Sequence, residues 1–514
     1  MRRHLPESTR LAEVIPEGIT TLMHEICNRS RKTLGRATTR SSFPVTAAFA
    51  HTHHPNRLGL EVPAGSVALV SPPSLHRRIL TLALPALGAL IAEPLFIVTD
   101  TAMVGHLGAQ ALASLGLAST ILTTVVGLLI FLAYATTPIV ARRLGSGNRP
   151  GAISAGIDGM WLAAGLGIVL GIVGHATSGA IVGAFGAETA VASGANDYLA
   201  ISWWGLPGML IVIAATGMLR GLQDTKTPLY VALGGFGANA ALNAVLIYGF
   251  NLGLVGSALG TVIAQWLMAA VFIGLVAIQA MRYQASAKPG LVGIKNAAVS
   301  GGWLLIRTLS LRVALVATVV VATGLGTREL ATWHIVFTLF SLLALALDSL
   351  AIAAQALIGH DLGSSNVESV REVTSVLIRW SFFAGGVLAL GAGLLSPLVA
   401  MIMTSDDQVR QSLVWVLVLL AFTLPLSSYV FVLDGVLIGA GDGKYLAITG
   451  VINVAIFAPF LWLASTTGWI VSGVNLGGLL MLQAAFGISY IGARALTLGL
   501  RARSNAWMVP GESR

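Results

Sequence analysis

Asp100 lies near the end of the first long apolar stretch, residues 79–104, which Pro85 and Pro94 interrupt. An ionised side chain within a membrane helix costs several kcal/mol unless it faces protein or water, so a carboxylate there points to function. Two prolines free backbone groups that neighbours must satisfy and make the helix bendable. A titratable group on a bendable membrane helix is what ion-coupled transport requires. Asn239 and Asn243 stand one turn apart on the fifth apolar stretch and share a face. Such amides either complete a polar site or hydrogen-bond between helices. Asp348 and Gln355 lie two turns apart on one face of the eighth stretch. Asp348 is the best second acid, with an ion pair to Arg307 or Arg312 as its structural reading. Those two arginines are expected to start the seventh span at its cytoplasmic end and to snorkel.

Other residues read as structural. Asp224 and Asp442 sit beside glycine in short loops, where Asp caps a turn or the next helix. With Gly221 and Gly439 they are expected to be hinges or latches of a cytoplasmic gate. Gly145 and Gly363 are expected to end helices in the left-handed conformation. Asp158 reads as a topology or capping residue and Asp434 as structural. Met209, Met218, Trp203 and Trp204 either line a cavity or face lipid. The chain has no His-Glu-x-x-His and no phosphate loop ending Gly-Lys-Ser/Thr, which argues against a zinc protease or a nucleotide-driven machine. Cys27 is the only cysteine. No metal or cofactor is expected.

The elements that must position these residues are membrane helices. Hydrophobic residues make up 55% of the chain and charged ones only 10%, against about 25% charged in soluble domains. From Leu75 onward come twelve stretches of about 20 apolar residues, each able to span a bilayer. Arg142, Arg143, Arg149, Arg220, Lys226, Arg282, Lys288, Lys295, Arg371 and Lys444 fall in loops after even-numbered spans, and only Arg328 and Arg410 after odd ones. The formal charge of +9 is therefore a topology signal and not a nucleic-acid surface, and both ends of the chain are expected in the cytoplasm.

The spans repeat. Leu144, Gly145, Ser146 and Asn148 recur as Leu362, Gly363, Ser364 and Asn366; Leu206 and Pro207 recur as Leu424 and Pro425. In the same register Gly217, Leu219, Gly221, Asp224 and Lys226 recur as Gly435, Leu437, Gly439, Asp442 and Lys444. Six spans per copy is an even number, so the copies share one orientation and pack about an axis along the membrane normal. The expected fold is all-α: twelve transmembrane helices in two pseudo-symmetric six-helix bundles around a central cavity. The expected parts are an N-terminal lobe 74–281, a cytoplasmic linker 282–302, a C-terminal lobe 303–500 and a tail 501–514. Residues 1–73 are basic and without a sustained helical face. They read as a disordered cytoplasmic extension or as sequence upstream of a later start such as Met23, with His51, His53 and His54 solvated.

The run Val98-Thr99-Asp100-Thr101-Ala102-Met103-Val104-Gly105-His106-Leu107-Gly108 resembles the first-helix motif of multidrug and toxic compound extrusion (MATE) transporters, with Leu82-Ala83-Leu84-Pro85 as its upstream part. Gly221-Leu222-Gln223-Asp224-Thr225-Lys226-Thr227-Pro228 resembles the family's loop after the fourth helix. Ala346-Leu347-Asp348 and Leu433-Asp434-Gly435-Val436-Leu437-Ile438-Gly439 resemble its DinF branch. The resemblance covers roughly residues 75 to 500. It implies an antiporter that exports amphipathic, often cationic, compounds against inward flow of protons or sodium. It implies Asp100 as the main ion or proton site, Asn239 and Asn243 as polar neighbours completing it, and Pro85 in the bending helix. Asp348 then binds a cationic substrate or a second proton. Many members carry an Asp where this chain has Ile247, and that departure favours protons.

The implied partners are small amphipathic or cationic molecules, H+ or Na+, and the lipid bilayer, in a monomer of the plasma membrane. The alternatives are a flippase for lipid-linked precursors, which needs a cationic cavity for pyrophosphate, and a non-transporting membrane scaffold or membrane enzyme.

Overall fold

A computed structural model describes residues 74–471 and 473–512; the basic extension 1–73 lies outside the described residues. Without water to receive them, the backbone polar groups of an apolar segment must pair internally, and these segments do so as helices. Among the described residues twelve helices are long and apolar enough to cross a membrane. They are α1 Leu75–Gly105, α2 Ala109–Gly145, α3 Arg149–Ala184, α4 Thr189–Gly221, α5 Lys226–Gly249, α6 Gly253–Arg282, α7 Leu291–Leu325, α8 Thr327–Gly363, α9 Val367–Leu394, α10 Asp407–Gly439, α11 Gly443–Thr466 and α12 Leu476–Arg503. Helices α1–α6 and α7–α12 form two bundles. Loops after even-numbered helices lie on one face, here called the basic face.

The repeat is visible in the backbone. Asn148 caps α3 by accepting the Gly151 N–H at 2.8 Å, and Asn366 caps α9 by accepting that of Ser369 at 3.0 Å. Helices α2 and α8 do end at Gly145 and Gly363, but the left-handed residues are Gly147 (φ 83°) and Ser365 (φ 58°). The expectation of left-handed caps at Gly145 and Gly363 is corrected. Those two glycines serve helix crossing instead. A Cβ on Gly145 would overlap the His360 carbonyl, and one on Gly363 would overlap that of Arg142. Between them Gly359 packs on Ala141. Each bundle thus lends a glycine to the other at the basic face, and the two backbones touch.

Inside each bundle the same register holds. Gly217 of α4 packs on Ala133 of α2, and Gly435 of α10 on Ala351 of α8; a Cβ at either glycine would stand 2.7 Å from the facing Cα. Gly221 and Gly439 pack in the same way on the carbonyls of Thr137 and Gln355. Small residues at these crossings let helices approach where lipid supplies no hydrophobic drive.

Two segments close the basic face further. Helix α7 begins at Leu291, inside the stretch expected as linker, and Asp158 of α3 accepts the N–H of the preceding Gly290 at 2.7 Å. Asp158 therefore ties the start of α7 to α3. After α12 the chain turns back. Arg142 donates to the carbonyls of Val509 (2.9 Å), Gly511 (3.1 Å) and Ala440 (2.7 Å). The Gly511 N–H reaches the Leu362 carbonyl at 3.0 Å, and the Trp507 ring is 1% exposed. This strap joins α2 of one bundle to α8 of the other.

Trp507→Ala is expected to cost roughly 3 kcal/mol, as truncation of a buried Trp does, and to loosen the basic-face junction. A cysteine placed at Ala141 in a Cys27→Ser chain should then react with a membrane-impermeant maleimide, having been protected before. Unchanged protection would show the strap to be passive.

Candidate substrate and ion site

Helix α1 runs unbroken through Pro85 and Pro94 and carries Asp100 one turn from its end, 7% exposed. Asn243 of α5 donates its side-chain amide to Asp100 Oδ1 at 2.7 Å, and Ser257 of α6 donates its hydroxyl to the same oxygen at 2.8 Å. Asn243 also reaches Asn239 Oδ1 at 3.1 Å, and Asn239 donates to Thr261 Oγ1 at 3.1 Å. The three residues read from the sequence are thus one network. Helix α5 passes into a π-helical turn, Ala244–Gly249, directly after Asn243; such turns recur at functional sites because they re-aim side chains. Gly260 of α6 leaves the room Asn243 occupies, since a Cβ there would overlap its Oδ1.

The network opens on a cavity of about 380 Å³ between α1, α2, α4, α5, α6 and α7. Asp100, Asn239 and Thr261 line it together with Glu93, Tyr198 and Arg312. Of the four apolar candidates on the fourth span only Met209 lines it; Met218 and Trp203 are buried and Trp204 is exposed elsewhere. Glu93, Tyr198, Ser257 and Thr261 were missed in the sequence, and Arg312 was read there only as an ion-pair partner of Asp348 or a snorkelling residue. Glu93 had a signal, being seven residues before Asp100 and so on its face. Ser257 and Thr261 are one turn apart on the sixth span, yet nothing local distinguishes them from other hydroxyls.

The second acid lies apart from the first. Asp348 of α8 faces the phenol of Tyr134 of α2 and the guanidinium groups of Arg220 of α4 and Arg307 of α7. Arg307 pairs with Asp434, through Nε at 3.1 Å to Oδ1 and through a close Nη2–Oδ2 contact, while Arg494 Nη2 stands 3.3 Å from Asp434 Oδ1. Arg307 and Arg312 are thus not at a helix end. Because α7 starts twelve residues earlier than the apolar run suggests, they are the sixteenth and twenty-first residues following Leu291, well inside the helix. Gln355 shares a face with Asp348 but is sealed in the α8–α10 crossing, 1% exposed, with Gly439 on its backbone. The structure does not bring Asp348 and Gln355 into one site.

The loop acids divide. Asp224 accepts the N–H groups of Lys226 (3.1 Å) and Thr227 (3.0 Å) and so caps α5. Its repeat partner Asp442 instead accepts Arg501 Nε of α12 at 2.7 Å. Neither lines the cavity.

The MatE family model matches the chain twice, over residues 85–245 and 305–463, once in each bundle. The chain belongs to the MatE family. Protein DETOXIFICATION 44, chloroplastic, of Arabidopsis thaliana is 29% identical over 403 residues, covering 76% of this chain and 77% of that protein. DNA damage-inducible protein F of Escherichia coli (strain K12) is 26% identical over 427 residues, covering 77% and 90%. A crystal structure of the Vibrio cholerae MATE transporter VcmN in the bent form shares the fold, with a TM-score of 0.74 at 20% identity over 84% of this chain and 98% of that one. MatE proteins are transporters and not enzymes. This chain is accordingly a multi-pass membrane transporter that exports compounds.

Removing one partner of a buried ion pair strands the other charge, at roughly 3–5 kcal/mol. Asp434→Ala is therefore expected to lower the unfolding temperature of the detergent-purified MatE protein far more than Asp224→Ala, which removes only a helix cap worth roughly 1 kcal/mol. Equal shifts in a thermal melt would contradict the Arg307–Asp434–Arg494 arrangement.

Proposed function

We propose that this chain is a proton-coupled antiporter that exports amphipathic or cationic small molecules by alternating access, with Asp100 as the coupling acid. The observation that carries this reading is the shell of Asp100: neutral donors, Asn243 and Ser257, and no ion pair among the described residues. Neutral donors hold a carboxylate without depending on its charge, so protonation leaves no counter-ion stranded. Hard cations gather several oxygen ligands, whereas Asn243 turns its NH2 to Asp100 and Ile247 supplies no oxygen. The lobes 74–281 and 303–500 are the moving bodies, with Pro85 and Pro94 allowing α1 to bend and Gly221, Asp224, Gly439 and Asp442 holding the loops of the closed gate. Asp348 is the second acid, its charge governing the contact of α8 with Arg220. The positive-inside rule supports a cytoplasmic basic face, and the self-contained pairing of the lobes supports a monomer in the plasma membrane.

A flippase for lipid-linked precursors draws support from one observation, the placement of Arg312 in the cavity and of Arg307 deep in α7. Ethidium efflux from proteoliposomes, driven separately by a pH and a sodium gradient, separates these readings. Efflux driven by pH and abolished in Asp100→Asn is the expected result, with Asp348→Asn slowed. Efflux on sodium alone would replace the ion. No efflux from folded protein under either gradient would favour the flippase.

A further inference from the structure

Three acidic or basic side chains, Glu93, Asp100 and Arg312, line the central cavity, and two of them have no protein partner among the described residues. Glu93 and Arg312 form neither an ion pair nor a hydrogen bond among the described residues. Glu93 lies two turns before Asp100 on the cavity face of α1. Arg312 arrives from α7 of the other bundle and crosses the cleft to α2, where its guanidinium occupies the space a side chain at position 127 would fill: a Cβ on Gly127 would overlap Nη2. Charged groups at membrane depth are costly unless paired or wet, and unpaired ones mark a ligand path.

The two charges differ in what they select. Glu93 neighbours a stacked aromatic pair, Phe96 and Phe236, with centroids 5.0 Å apart at 17°, which also lines the cavity. A carboxylate beside aromatic faces suits a flat cationic nitrogen group. The guanidinium fork of Arg312 suits a planar anion such as a carboxylate, which it can grip with two N–H donors. A simple cation would satisfy Glu93 and leave Arg312 repelling it.

We infer that Arg312, seated on Gly127, is the anion-recognising residue of the cavity, and that the transported molecules are flat amphipathic zwitterions whose cationic end meets Glu93 and whose carboxylate meets Arg312. This rests on the export reading and narrows its substrate class.

Rhodamine 110 and rhodamine 123 test it, being the free carboxylate and the methyl ester of one cationic dye. Binding is measured by fluorescence polarisation on the detergent-purified full chain, with no gradient, so the result is independent of transport coupling. The wild type is expected to bind rhodamine 110 roughly tenfold more tightly, the scale of one charge-assisted contact. Arg312→Gln should abolish that preference without weakening rhodamine 123, and Arg312→Lys should restore part of it. Gly127→Leu, which leaves every charge in place, should reduce the preference by displacing the guanidinium. Glu93→Gln should weaken both dyes together. Equal or reversed preference in the wild type, a preference untouched by Arg312→Gln and Gly127→Leu, or no binding of either dye would overturn the assignment. Failure of gradient-driven efflux with this binding pattern intact would instead strike the export reading alone.

Discussion

The backbone contact of α2 with α8 at the basic face is the constraint on which the remaining structure depends. A bilayer supplies no hydrophobic force to press two bundles together, so they are held by close packing and by polar contacts that find no water. Gly145 on the His360 carbonyl and Gly363 on the Arg142 carbonyl are such contacts, related by the repeat. Any side chain at either position would separate the bundles. With that junction shut and bridged by the strap through Trp507, the cavity lies toward the other face. Its lining follows that order: Asp100 comes late in α1, and Ser119 and Leu122 come early in α2. Alternating access must undo this junction, so the forces here set how readily the protein changes state.

Two kinds of buried carboxylate follow from the arrangement. Asp434 sits between two guanidinium groups, and its charge is part of the fold. Asp100 is held by an amide and a hydroxyl, groups that remain satisfied by partial rearrangement when the acid gains a proton. Asp348 stands between these cases, with a phenol from α2 and guanidinium groups from α4 and α7 around it. Because Tyr134 and Arg220 belong to one bundle and Asp348 to the other, a change in its charge acts across the same interface that the glycines close.

The symmetry is one of frame and not of chemistry. Caps, left-handed turns and glycine crossings repeat in one register, from Asn148 and Asn366 to Gly221 and Gly439. In that register Asp100, Asn239 and Asn243 correspond to Thr318, Phe457 and Leu461, which cannot form the same network. The cavity site belongs to the first bundle alone, while the second contributes Arg312 to its wall and the arginine-paired acids to the interface. Even the matched loop acids have parted, Asp224 to a helix cap and Asp442 to an arginine on α12.

The number of spans, the doubled bundle and the membrane setting were determined by the sequence alone, because apolar length and helical pairing are local properties and the repeat keeps its register. The Asp100–Asn243–Asn239 network was legible for a related reason: a carboxylate and paired amides in apolar helices are expensive, and expense singles them out. The tertiary structure alone decided what surrounds them. Ser257 and Thr261 are cheap hydroxyls with no local mark, and only the packing of α6 on α5 makes them part of the site. Arg307 and Arg312 looked terminal because hydropathy cannot see the polar first turns of α7, and their place inside the helix emerged only with its start at Leu291. Gln355 shared a face with Asp348, yet the α10 backbone that seals it comes from a helix some eighty residues away. Spacing along one helix states which residues point the same way; which of them meets water, a partner or another backbone is set by neighbours that the local sequence does not contain.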